Sequence, residues 1–118
     1  MSGEQLIAVM HFAMAMLMIV IGWPLWANRI RPNWWYGFRT PATLRDDRIW
    51  YPVNHETGGW LMGTGLVTLP VVIATFALDL PVPHLALVNM APFVTGLLLM
   101  VVRGFWRIHR LKQEFTAE

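Results

Sequence analysis

The side chains able to do chemistry in this chain are gathered in one passage, Asn33–Gly59, NWWYGFRTPATLRDDRIWYPVNHETGG. Arg39 is set among Tyr36, Gly37, Phe38 and a Thr40-Pro41 turn. Arg45 and Arg48 follow, and folding would draw in Asn33, Asn54, His55 and Glu56. Guanidinium groups in that setting suit phosphate head groups, carboxylates or the free carbonyls of helix ends. The same arginines would equally serve to pin the loop to helix ends and lipid.

Catalysis is not indicated. There is no nucleophile–base pair, phosphate-cradling loop or HExxH, and His55-Glu56 is a lone dipeptide without ligand spacing. His11, Asp79 and His84 could converge near the outer face, but three scattered ligands are a weak metal signal, and no cofactor is implied. Met10, Met14 and Met18 recur at i, i+4, i+8. Such a stripe can carry a soft metal, but flexible packing or lipid contact is the commoner use and the one expected here.

The elements that position the polar passage are membrane helices. In 118 residues, 56% are hydrophobic and 14% charged, and a soluble chain this short cannot bury so much apolar surface. Three runs approach or exceed the roughly 20 residues that cross a bilayer: about 5–27, 58–78 and 84–102. The reading is an all-α integral membrane protein, one domain over 1–118, with a polar loop over 28–57. The first run lacks a basic leader and carries Glu4, which argues against a cleaved signal. With no cysteine there is no disulfide framework.

Trp23 and Trp26 mark the far interface of the first helix, with Pro24 in its last turn. Within the loop, Thr43 reads as an N-cap with Asp46 three residues on, opening a short interfacial helix over Leu44–Tyr51. That helix would present Ile49, Trp50 and Val53 on one face, Pro52 would end or bend it, and Asn54 would cap the second span. Gly59-x-x-x-Gly63 permits close approach of another helix. In the membrane, His11 and Asn89 need hydrogen-bond partners on neighbouring helices. The tail from Gln113 onward is expected to fray.

Charge sets the orientation. All 9 Lys and Arg lie in the 28–57 loop or after Val102, and none lies at the N-terminus or in the 79–83 turn. With three spans these two basic regions share a side, which the positive-inside rule makes the cytoplasm, leaving the N-terminus out. The basic charge thus sits at membrane boundaries, and no nucleic-acid partner is implied.

The pattern Asn33-x-x-Tyr36-Gly37-Phe38-Arg39-Thr40-Pro41-x-Thr43-Leu44, then Trp50, Asn54-His55 and Gly58-Gly59, resembles the signature of the SdpI family of bacterial membrane proteins. With its flanking helices the resemblance covers about residues 17–102. This chain would be a short form, since the immunity protein for which the family is named has further helices before the motif. The resemblance implies a multi-pass protein of the bacterial inner membrane, of the immunity, toxin-resistance and signalling type. Its binding residues would be Asn33, Tyr36, Gly37, Arg39, Thr40, Pro41, Thr43, Trp50, Asn54 and His55. Its partners would be the lipid bilayer and a toxin peptide or cytoplasmic regulator, and it would be no enzyme.

Two other classes compete. Three short helices with glycines and a Trp-rich boundary suit an accessory subunit of a larger membrane complex, or a homodimer. A small transporter is weaker. The Met and Gly motifs resemble those of trimeric copper transporters, but fall on the first and second helices instead of the second and third.

Overall fold

The computed structural model describes residues 1–117 and consists of α1 (Gly3–Trp26), α2 (Pro41–Arg45), α3 (Asp47–Ala77) and α4 (Val82–Ala117). The molecule is a rod of 57 × 22 × 19 Å. α1, α3 and α4 are each long and apolar enough to cross a membrane. Their exposed surfaces carry Leu17, Val20, Leu66, Leu98 and Val102, which suits lipid contact.

α3 is the central helix, packed antiparallel to α1 on one side and to α4 on the other. Gly22 and Gly58 bring α1 and α3 together, and a Cβ at Gly22 would stand only 2.8 Å from the Gly58 carbonyl oxygen. Thr64 of α3 fills the space left by Gly96 of α4. Near the opposite end the three helices meet in a polar clasp. Thr75 Oγ1 donates to Asn89 Oδ1 at 2.7 Å, and Asn89 Nδ2 faces His11 Nδ1 at 3.5 Å. His11 and Asn89 thus find the interhelical partners their sequence positions call for, and Asn89 is wholly buried.

Both turns that leave the long helices use the same device. Asn28 and Asp79 adopt positive φ, 59° and 52°, one residue beyond the C-caps Ala27 and Leu78. The next residues reach back, Arg29 N–H to the Pro24 carbonyl at 2.9 Å and Leu80 N–H to the Thr75 carbonyl at 3.5 Å. This is the Schellman closure, with Asn and Asp in the place usually taken by glycine.

The loop region departs from the sequence reading. Thr40, not Thr43, is the N-cap, because Pro41 suits the first helical position. Thr43 completes a reciprocal cap: Thr40 Oγ1 accepts from its N–H at 3.2 Å, and its own Oγ1 accepts from Thr40 N–H at 2.8 Å. Asp46 caps α3 instead of pairing with Thr43. The helix expected over Leu44–Tyr51 is therefore split between α2 and the first turns of α3. Neither Pro52 nor Asn54 interrupts α3. Ile49, Trp50, Val53 and Asn54 are all buried on one face across the proline, and that packing outweighs the lost hydrogen bond to the Arg48 carbonyl.

The tail does not fray at Gln113. α4 continues to Ala117, and Phe115 packs against a small core of Phe38, Ile49, Val53, Ile108 and Leu111; Glu118, the last residue of the expected frayed tail, lies outside the described residues. At 36 residues α4 is longer than a bilayer of about 30 Å requires, and its last turns carry this small core at the basic end.

Candidate binding site at the basic end

The motif loop folds back onto the ends of α1, α3 and α4, and most of its polar side chains are spent holding it there. Asn33 makes the first turn: its Oδ1 accepts from Trp35 N–H at 3.0 Å and Tyr36 N–H at 2.7 Å, and its Nδ2 donates to the Arg31 carbonyl at 2.7 Å. Tyr36 then donates its hydroxyl to the Ile21 carbonyl in α1. Burial pushes the Tyr36 phenol above its ordinary pKa, because the phenolate would lose its water.

Asn54 is the centre of the arrangement. Its Oδ1 accepts the Phe38 N–H at 2.6 Å, while its Nδ2 donates to the Trp50 carbonyl at 3.1 Å and the Phe38 carbonyl at 3.4 Å. The side chain is 2% exposed, and both its N–H donors and its oxygen are engaged. Gly37 has φ of 114°, and a Cβ there would lie 2.7 Å from Asn54 Oδ1 and 3.1 Å from Trp50. Only glycine meets both demands. Trp50, fully buried, donates Nε1–H to the Ile30 carbonyl at 2.8 Å. Phe38 seats its ring on Gly104 of α4 and meets Phe105 edge-on at 5.3 Å.

Asn33, Tyr36, Gly37, Trp50 and Asn54 thus form a lock, and Thr40, Pro41 and Thr43 form the reciprocal cap that follows it. Arg39 and His55 sit outside both. Arg39 donates to the Trp34 carbonyl and borders a concavity of about 590 Å³ with Trp34, Thr40, Pro41, Leu44 and Arg45. Trp34 in its wall is 82% exposed, and the next residue, Trp35, is 80% exposed. Arg48 is directed elsewhere. It pairs with Asp46 at 3.0 Å and lies 4.2 Å over the Phe115 ring. Its hydrogen bonds hold the Asp46 carboxyl below the usual range.

His55 occupies the next face of α3, with Nδ1 2.6 Å from the Trp26 carbonyl and its ring stacked on Trp26 at 5.6 Å. The adjacent Glu56 ties α3 to α4 at the basic end: Arg103 donates to its Oε1 at 3.0 Å, and Arg107 Nε lies 3.9 Å from its Oε2. The sequence drew Glu56 toward the arginines of the loop, but its partners are Arg103 and Arg107 of α4, which sequence reasoning left out of the site. The available signal was the i, i+4 pair of arginines at the end of the last span. The three ligands His11, Asp79 and His84 do not assemble; among the described residues no group of three or more His, Cys, Asp or Glu is placed to hold a metal ion.

Comparison with known proteins matches residues 29–105 to the family described as the SdpI/YfhL protein family. The match takes in the lock, α2, α3 and most of the apolar part of α4. No curated protein and no solved structure matches the chain. The matched stretch is well over half of the 118 residues and contains every side chain of the lock: the chain belongs to the SdpI/YfhL protein family.

Proposed function

We propose that this is an immunity or toxin-resistance protein of a bacterial inner membrane. It acts by binding a toxin peptide or a cytoplasmic regulator through the outward face of its motif loop. In this reading the N-terminus lies outside and the loop and the end of α4 lie in the cytoplasm, an orientation supported by the distribution of Lys and Arg. One observation carries the reading. The lock uses up the polar groups of the motif internally, yet leaves Arg39, Arg45 and the nearly bare Trp34 around one open concavity. Such a face combines a preorganised charge with rigid aromatic area, the composition of binding hot spots. The protein is not an enzyme in this reading. Binding at the loop would mask a target or relay its presence.

The test is a killing assay in a bacterial strain sensitive to a secreted peptide toxin of the kind SdpI-type proteins answer. It would compare the wild type, Arg39→Ala and Trp34→Ala at equal membrane levels verified by blot. Protection by the wild type and its loss in both variants is the expected result. Full protection by both variants would remove the loop face from the mechanism. No protection by the wild type would shift the reading to an accessory subunit, to be sought by co-purification from mild detergent.

A further inference from the structure

On the flank of α3 and α4 away from the loop lock, a groove of about 560 Å³ runs from Trp26 and His55 to Val67 and Pro92. Between Glu56 and Val67 the α3 wall is about 16 Å long at about 1.5 Å per residue. This is close to one leaflet's share of a hydrocarbon core of about 30 Å. The groove floor is formed by Gly59 and Gly63 of α3 and Gly96 of α4. A Cβ at Gly63 would meet nothing within 4 Å. The close helix contact that Gly59-x-x-x-Gly63 predicts is thus made elsewhere, by Gly22 and Gly58.

At its basic end the groove joins a second cavity of about 370 Å³ lined by Asn28, Tyr51, Pro52, His55, Glu56 and Arg107. His55 and Glu56 border both. The chemistry of this notch is specific. Glu56 Oε2 is shielded from solvent yet accepts no hydrogen bond, and at 3.9 Å the Arg107 contact is an ion pair without one. A shielded carboxylate oxygen in that state favours an incoming N–H or O–H donor. Arg103 and Arg107 together outweigh the single charge of Glu56, so the notch also favours an anion. His55 Nδ1 faces the Trp26 carbonyl, which can only accept, so Nδ1 is the donor of that contact.

We propose that groove and notch form one phospholipid site. The lipid's phosphate pairs with Arg107, the ammonium of an ethanolamine or the hydroxyl of a glycerol head group donates to Glu56 Oε2, and one acyl chain lies over Gly59 and Gly63. A helix from a second copy would satisfy the glycine floor alone and leave Arg107 and Glu56 Oε2 unserved. The phospholipid satisfies all three. The site uses no residue of the outward loop face, so it stands or falls separately from the toxin-binding reading.

The experiment is native mass spectrometry of the full chain in detergent, incubated with equal amounts of phosphatidylethanolamine, phosphatidylglycerol and phosphatidylcholine. The first two are expected to be retained about tenfold more than the third, whose choline has no donor for Glu56. Glu56→Gln should erase that preference. Gly63→Leu, which fills the groove where the fold has open space, should lower retention of all three lipids with helicity unchanged. Equal retention of the three lipids by the wild type would overturn the proposal, as would undiminished binding to Gly63→Leu. The absence of cysteine from the chain adds a clean control. Gly63→Cys should stay monomeric under oxidation in membranes, whereas a disulfide dimer would assign the groove to a second copy.

Discussion

Asn54 holds the backbone of Phe38 from both sides, accepting its N–H at 2.6 Å and facing its carbonyl at 3.4 Å. A side-chain amide here does what a neighbouring strand would do for an isolated piece of extended chain. That relationship converts the loop from a tether into a fixed surface.

Replacing Asn54 with Ala leaves the Phe38 N–H and carbonyl buried without partners. A loss of about 1–3 kcal/mol is expected, read as an earlier unfolding midpoint in a denaturing-detergent titration. Trypsin should also cut faster at Arg39 and Arg45. An unchanged midpoint would mean that the loop is held mainly by Trp50 and Tyr36.

The glycines should separate into two classes. Gly37→Ala combines a positive φ with a clash against Asn54 and Trp50, for an expected cost of about 1–3 kcal/mol. Gly58→Ala pushes a methyl into the Gly22 carbonyl and should cost a similar amount, about 1–3 kcal/mol. Gly63→Ala, facing open space, should stay within about 0.5 kcal/mol of the wild type. Unfolding midpoints of the three variants in one detergent check the order.

The Glu56–Arg103 pair is partly exposed, with 30% and 41% of the side chains accessible. A double-mutant cycle with Glu56→Gln and Arg103→Gln should therefore give a coupling of only about 0.2–1 kcal/mol. The coupling should fall as salt is raised. A salt-insensitive coupling well above that range would place the pair in a drier setting than its accessibility indicates.

Tyr36 should make the loop sensitive to alkali. Its pKa is raised in the folded state, so its contribution is complete below the ordinary tyrosine value of about 10 and is lost as the pH climbs through the folded value. Phenolate absorbance and loop proteolysis, followed together from neutral pH upward, should change in step in the wild type. In Tyr36→Phe the alkaline step in proteolysis should be absent.

The spans were legible because hydropathy integrates over some twenty residues and tolerates local exceptions. The motif loop was legible because its turn and cap residues lie close together in sequence. Helix boundaries inside it were not. Thr40 and Thr43 are both good caps, and only the fit of Pro41 at the first helical turn decides between them. Pro52 reads as a stop, yet burial of Trp50 and Val53 on either side carries the helix through. The groove was hidden for a different reason. Which glycines pack depends on which face of α3 meets α1, and Gly58 and Gly59 differ by a rotation that composition does not reveal. Glu56 meets Arg103 only through the antiparallel register of α3 and α4, a distance of 47 residues along the chain.

The order in which the lock's parts occur along the chain bears on biogenesis. Ile21, Ile30, Tyr36, Phe38, Trp50 and Asn54, which make its hydrogen bonds, all precede the apolar half of α3. Only the Phe38 ring waits for a later segment, since its seat is Gly104 and its neighbours are Ile108 and Leu111. During synthesis the first hairpin can therefore close its loop while α4 is still in the ribosome. The Phe38 ring, with Ile49 and Val53, would then stand as a template for Gly104, Ile108 and Leu111 of the last helix.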